Sequence, residues 1–128
     1  MKLTIPYYLH KAGAGFPSPA TDYIEEDIDL NVHLIKNVPA TFVIRVQGKS
    51  MIDDGIMEGD LIVVRHQSTA RNGETVVALI DGAATVKRYY RRKGVVELHP
   101  ANEKMRPFFV SDGPFEIQGV VVGLLRHY

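Results

Sequence analysis

Short runs of β-branched and apolar residues, separated by turn-forming residues, recur along this chain from about position 41 onward. The runs occupy residues 41–46, 61–64, 75–80, 84–90, 95–98 and 115–125. A glycine stands in every gap between them, and Asp81-Gly82 is a strong signal for a tight hairpin. Strands at this spacing, with no long helical pattern between them, predict a compact, curled, mainly β body rather than alternating strands and helices.

The N-terminal residues differ from this body in composition. Residues 12–20 read AGAGFPSPA, with two Gly and two Pro among them. Glycine loses much conformational entropy when it is ordered, and each proline favours an extended conformation in the residue before it. We therefore expect an extended, accessible N-terminal arm over residues 1–30 and a β domain over residues 31–128.

Composition excludes several classes of protein. The chain has no Cys, which rules out disulfide frameworks, iron–sulfur clusters and cysteine nucleophiles. Its 15 Lys and Arg balance its 15 Asp and Glu, so no net field draws it to nucleic acid. No apolar run approaches the roughly 18 residues of a membrane span, and no secretory signal is evident. We expect a cytoplasmic protein without membrane association.

A turn near residue 50 holds the first candidate for chemistry. Residues 48–50 read GKS and close the strand predicted over residues 41–46. On such a turn Ser50 can expose its hydroxyl beside outward-pointing backbone N–H groups, which suits a nucleophile with oxyanion donors. The alternative is a plain serine in a polar turn.

Lys87 is the second candidate, because it interrupts the strand ATVKRYY at residues 84–90. Side chains alternate along a strand, so Thr85 and Lys87 share one face. If that face is covered, desolvation lowers the pKa of the lysine, and a neutral amine near Ser50 can act as a general base. The alternative is a solvated charge on an edge strand.

Other catalytic signatures are missing from the sequence. The five histidines follow no triad or metal-ligand spacing, and no HExxH motif, Walker loop or dinucleotide fingerprint occurs. The acidic residues at 25–29 and 53–60 fit a solvated face and turns. We therefore expect neither a metal nor a cofactor.

Several separated segments resemble the LexA-type self-cleaving serine peptidases. The segments, in the family's order, are VQGKSM (46–51), GIMEGD (55–60), TVKR (85–88), ELHPAN (97–102) and FEIQGVV (115–121). The first two resemble the family's nucleophile region, and the third resembles the segment that holds its general-base lysine. The resemblance covers about residues 12–126 and implies the LexA/signal-peptidase-like fold, the β-clip.

The resemblance implies a site as well as a fold. Ser50 would be the nucleophile and Lys87 the base, with the backbone N–H groups of Lys49 and Ser50 forming the oxyanion hole. Thr85, on the same strand face as the lysine, could hydrogen-bond the amine and orient it.

The substrate implied by the resemblance is the chain's own peptide bond between Ala14 and Gly15. A methyl group and a hydrogen let this backbone pass a narrow groove without clashes. Residues 12–13 offer the same Ala-Gly dipeptide and remain an alternative. An extended chain covers about 3.3 Å per residue. Over the distance from Gly15 to Ser50, either the same molecule or a dimer partner could therefore present the arm.

The arm also suggests a branch of the family. Residues 15–20, GFPSPA, look like the UmuD branch, whose members are accessory subunits of an error-prone DNA polymerase. About 14 residues precede the cleavage motif, too few for a helix-turn-helix module. The branch implies no sequence-specific DNA binding. It implies activation by a RecA filament on single-stranded DNA and a UmuC-type Y-family polymerase as partner in the SOS response to DNA damage.

The remaining expectations concern association and alternatives. The resemblance implies a homodimer, and residues 117–125 are either its interface or a buried core strand. Two other functions stay open from the sequence: a non-catalytic interaction module on the same fold, and a repressor-type fragment.

Overall fold

A computed structural model describes residues 4–8, 24–30, 32, 40–111 and 114–128 of the chain, which divides into two units, Met1–Lys36 and Asn37–Tyr128. In the first unit, strand β1 (Thr4–Tyr8) pairs antiparallel with strand β2 (Ile24–Asp29). The two Ala-Gly dipeptides between these strands lie outside the described residues.

The second unit contains a seven-stranded sheet and a short 3₁₀ helix, Ile52–Asp54. Its strands are β3 (Thr41–Arg45), β4 (Leu61–His66), β5 (Thr75–Ile80), β6 (Ala83–Arg92), β7 (Val95–His99), β8 (Phe108–Val110) and β9 (Phe115–Leu125). Every pairing is antiparallel, in the order β3-β4-β9-β5-β6-β7-β8. The prediction of a mainly β body is confirmed, and the architecture is consistent with the β-clip fold.

Local sequence explains the hairpin between β5 and β6 but not strand β8. Asp81 and Gly82 have φ of 50° and 82°, the two positive values that a tight type I′ hairpin turn requires. Strand β8 was not predicted because it has only three residues, and Phe108 and Phe109 are exposed rather than alternating between core and solvent.

The core consists of two clusters on opposite faces of this sheet. Along β5, Val77 belongs to the cluster of Met51 and Ile62, whereas Val76 and Ala78 belong to the other cluster. Successive side chains of a strand point to opposite faces, so both faces of β5 are covered. Met51 lies outside the strands, so the sheet and the loop after β3 together form the first cluster.

Strand β9 lies between β4 and β5, near the middle of the sheet. Ile117 and Val120 are buried, whereas Val122 and Leu124 are exposed. The first part of the strand is therefore core, and the dimer interface predicted for residues 117–125 stays a prediction.

None of the helical segments in the described ranges has the length and apolar character of a membrane span.

Candidate active site

The turn that carries Ser50 follows β3 and is anchored on both sides of the serine. Met51, directly after it, is only 2% exposed in the first core cluster. Gly48, two positions before it, adopts a left-handed φ of 88° and donates its N–H to Glu58 Oε2 at 2.9 Å. A left-handed residue is best supplied by glycine. Sequence and packing together hold Ser50, which is partly buried, at the rim of the core.

Lys87 reaches this turn from the middle of β6. Its Nζ lies 3.1 Å from Ser50 Oγ, and it donates to Thr85 Oγ1 at 2.7 Å and to the Val86 carbonyl at 3.2 Å. The structure thus brings together the three side chains singled out in the sequence, although 37 positions separate the serine from the lysine.

The surroundings of Lys87 disfavour its charged form. The side chain is half-buried, and this desolvation lowers the pKa of the lysine from its ordinary value of 10.5. Within the described part of the chain no carboxylate pairs with it. The three partners found among the described residues are neutral oxygens, which do not favour the charged amine as a carboxylate would.

The backbone beside Ser50 offers two N–H groups. Within the ranges that the structure describes, the N–H groups of Lys49 and Ser50 donate to no other protein group, whereas that of Gly48 is taken by Glu58. Among the described residues, neither group has a protein acceptor, as expected of the two predicted oxyanion donors. Ala14 and Gly15, the residues predicted to flank the cleaved bond, lie outside the described residues.

Sequence reasoning missed two further contacts of the turn. The Asn102 side-chain amide donates to the Lys49 carbonyl at 2.9 Å. Arg88, next to the lysine on β6, pairs with Asp54 of the 3₁₀ helix, and this hydrogen bond raises the pKa of the arginine. Residue 102 belongs to a segment of the family resemblance, but no spacing rule assigns it a partner 53 positions away.

An ion pair fixes the other end of the same loop. Arg126 donates from Nε to Asp60 Oδ1 at 2.7 Å and from Nη2 to Oδ2 at 2.6 Å. Arg126 Nη2 also donates to the Gly55 carbonyl at 2.7 Å. Asp60 is only 3% exposed, and its hydrogen bonds with Arg126 lower its pKa to about 2. A metal site was also considered. Across the described ranges, no cluster of three or more His, Asp or Glu side chains is arranged to hold a metal ion.

Comparison with known proteins gives one family. The Peptidase S24-like family matches residues 6–122. Over 88 residues, the chain is 60% identical to a LexA repressor of Syntrophotalea carbinolica, a match that covers 68% of this chain and 44% of the relative. Over 126 residues it is 44% identical to the LexA repressor of Syntrophobacter fumaroxidans, covering 98% of this chain and 60% of the relative.

A third relative agrees with these two. The chain is 48% identical over 116 residues to a LexA repressor of Desulfitobacterium hafniense, with coverage of 91% and 55%. The chain spans about half the length of the curated relatives it matches. All three are named LexA repressor rather than UmuD, so the comparisons confirm the resemblance for the family and not for the branch. The chain belongs to the Peptidase S24-like family.

Proposed function

We propose that this chain is a self-cleaving serine peptidase with Ser50 as its nucleophile and Lys87 as its general base. The observation that carries the proposal is the 3.1 Å contact between Lys87 Nζ and Ser50 Oγ, made by a lysine whose pKa is lowered by burial. A neutral amine is a competent base near neutral pH, whereas an ammonium has no lone pair.

Burial favours the neutral form of Lys87, and the hydrogen bonds around the amine fit that form. A neutral amine has two N–H donors and one lone pair. The donors match Thr85 Oγ1 and the Val86 carbonyl, at 2.7 and 3.2 Å, which leaves the lone pair directed at Ser50. The serine hydroxyl then donates to the amine across the same 3.1 Å contact. Thr85 thus orients the base.

The proposed reaction cuts the bond between Ala14 and Gly15. As Lys87 takes the hydroxyl proton, Ser50 Oγ bonds to the Ala14 carbonyl carbon, and the carbonyl π electrons move to its oxygen. The N–H groups of Lys49 and Ser50 stabilise that oxyanion.

Collapse of the oxyanion completes the first half of the reaction. The C–N bond to Gly15 breaks, and the Lys87 ammonium gives its proton to the departing amine. Water then hydrolyses the ester on Ser50, with the lysine acting again as base. The products are the leader, ending at Ala14, and a trimmed chain beginning at Gly15.

Intact mass measured during incubation at mildly alkaline pH tests this proposal. Wild type should lose residues 1–14, and Ser50→Ala and Lys87→Ala should each abolish the loss. Ser68→Ala and Lys104→Ala, which change exposed residues of the same types, should cleave at the wild-type rate. Continued cleavage in both dyad variants contradicts the assignment of Ser50 and Lys87 as catalytic residues. A product that begins at residue 13 shows that the cleaved bond is the one between residues 12 and 13.

For the biological role, we propose self-cleavage in the SOS response to DNA damage, by a homodimer activated by a RecA filament on single-stranded DNA. The arm motif at residues 15–20 supports trimming into the accessory subunit of a UmuC-type polymerase. The names of the relatives, at 44–60% identity, favour a second candidate, the loss of a repressor through cleavage.

Binding before and after cleavage separates these two roles. A polymerase subunit predicts that the trimmed chain co-elutes with a UmuC-type polymerase in size-exclusion chromatography and that the uncut chain does not. A repressor predicts sequence-selective binding of labelled duplex DNA by the uncut protein, lost on cleavage.

A further inference from the structure

Asn102 holds its side-chain amide in one orientation against the turn of the nucleophile. Its Nδ2 donates to the Lys49 carbonyl at 2.9 Å, and its Oδ1 accepts the Lys104 N–H at 3.0 Å. An amide has donors on one end and an acceptor on the other. With a carbonyl facing one end and an N–H facing the other, only this orientation satisfies both partners.

The carbonyl that Asn102 holds belongs to the same peptide group as the Ser50 N–H. A peptide group is planar and trans, so its C=O and N–H point in opposite directions as one rigid unit. Fixing the Lys49 oxygen therefore fixes the direction of the Ser50 N–H. The Ile52 N–H also approaches this oxygen, but at 3.4 Å. Among protein partners, the short contact to Asn102 dominates.

The segment that presents Asn102 is tied to the same turn by two more hydrogen bonds. The Ala101 carbonyl accepts the Asp53 N–H at 2.7 Å, and Asp53 Oδ2 accepts the Glu103 N–H at 3.1 Å. Ala101 also packs against the first core cluster, which contains Met51. Asn102 is therefore supported from both sides and cannot easily follow the peptide if that peptide rotates.

We propose that Asn102 is a positioning residue for the cleavage: it aims the Ser50 N–H at the oxygen that becomes negative in the transition state. The inference rests on the proposed peptidase function and extends it to a residue outside the dyad. An oxyanion donor acts only as charge develops on the substrate oxygen. Loss of its alignment therefore lowers the rate at every pH without changing the titration of Lys87.

Asn102→Ala tests the proposal, because it removes the donor without adding a charge near Lys87. The rate constant of self-cleavage is measured against pH. We expect the plateau rate to fall about 10- to 100-fold, since removing an oxyanion donor costs about 10²–10³ and misaligning one costs less. The midpoint of the pH profile should stay at the wild-type value.

Asn72→Ala is the matched control. Asn72 also bridges backbone groups, donating to the Arg91 carbonyl at 3.3 Å and accepting the Arg91 N–H at 2.7 Å, but it makes no contact with the turn. This variant should cleave within about twofold of wild type, as expected for a site outside the machinery. An Asn102→Ala plateau equal to that of Asn72→Ala overturns the inference, as does a shifted midpoint with an unchanged plateau.

Two further measurements separate the possible failures. Thermal melts show whether Asn102→Ala folds. If its melt is not cooperative, the rates are measured on Asn102→Leu instead, which keeps the side-chain volume. If neither variant melts cooperatively, the asparagine maintains the fold and the positioning role is wrong. Cleavage that persists in Ser50→Ala overturns the proposed peptidase itself. Cleavage that needs Ser50 but runs at the wild-type rate in the Asn102 variants overturns only this inference.

Discussion

Two cations contact the loop between β3 and β4, one from β6 and one from the residue after β9, and their surroundings are opposite in kind. At the far end of β9, Arg126 donates twice to the buried Asp60 and once to the Gly55 carbonyl. Lys87, from β6, contacts Ser50 and two other neutral oxygens. Arg126 has a full counter-charge, whereas Lys87 is desolvated and has no carboxylate partner among the described residues.

The difference separates a group that stabilises the fold from a group that can react. The hydrogen bonds with Arg126 keep Asp60 ionised, with a pKa of about 2, so both partners stay charged throughout the physiological range. A carboxylate placed beside Lys87 would likewise hold the proton on the amine. Burial without a counter-ion does the reverse, and it lowers the pKa of Lys87.

The largest effect should come from Lys87→Arg, which keeps the positive charge but removes the capacity to act as a base. A guanidinium stays protonated in proteins, so it cannot accept the hydroxyl proton of Ser50. We expect self-cleavage to fall by about 10³-fold, as for loss of a general base. The rate is measured by intact mass. Near-wild-type cleavage by the arginine variant would show that the lysine contributes charge rather than a lone pair.

The pH dependence of cleavage should follow Lys87 and not Asp60. In the proposed mechanism only the neutral amine is active, so the rate should rise about tenfold per pH unit below the folded pKa of Lys87 and level off above it. That midpoint lies below the ordinary value of 10.5. Rates measured from mildly acidic to alkaline pH check the profile. A rate that is flat throughout would exclude titration of the lysine from the mechanism.

Arg126→Met should lower stability while leaving the dyad able to react. The substitution leaves the Asp60 carboxylate buried without its partner, which destabilises the fold. Wild type has the stabilisation from Asp60 in full above the ordinary pKa of 3.8 and loses it as the pH falls through about 2. In the variant we expect a lower melting midpoint at neutral pH and a smaller change across that acid window.

Thermal melts followed by circular dichroism, at neutral and acid pH, measure this effect. Below its melting midpoint the variant should still cleave within about twofold of wild type, because the ion pair shares no hydrogen-bond partner with the proposed dyad. Loss of cleavage in a well-folded Arg126→Met chain would instead join the ion pair to the catalytic machinery.

Lys87→Met should have the smallest effect, a modest gain in stability at neutral pH. Because the folded chain holds fewer protons than the unfolded chain between the folded pKa of Lys87 and 10.5, wild-type stability rises with pH across that window. Methionine keeps a long apolar chain and carries no charge to desolvate. Its melting midpoint should exceed that of wild type at pH 7 and approach it near the upper end of the window.

Lys104→Met is the control for that measurement, since it makes the same substitution at an exposed lysine. It should show no pH-dependent difference from wild type. If Lys87→Met is less stable than wild type by the same amount at every pH, the buried charge carries no penalty and the comparison with Arg126 fails.

The sequence predicted much of the fold because its strands are marked locally. The hairpin at residues 81–82 needs two adjacent residues with positive φ, and Asp-Gly supplies them within four positions of chain. Strand β8 lacks such a marker, since it is short and its two phenylalanines are exposed. It forms because β7 offers it an edge, a property of the sheet and not of the segment.

The candidate site could be predicted only in part, for a similar reason. Thr85 and Lys87 are two positions apart on one strand, so alternation alone predicts that they meet. Asn102 meets Lys49 across 53 positions, and Arg88 meets Asp54 across 34. No local pattern encodes these pairs, because the strand order brings them together.

By itself the sequence determined the period of the strands, the places of the turns, and the two side chains able to supply a hydroxyl and an amine. Whether the amine could lose its proton was decided by tertiary structure. The pKa of a lysine depends on how much water reaches it and which charges stand nearby, and both follow from how β6 packs beside the turn of Ser50. The same tertiary packing places a carboxylate beside Arg126 and, in the described part of the chain, only neutral partners beside Lys87.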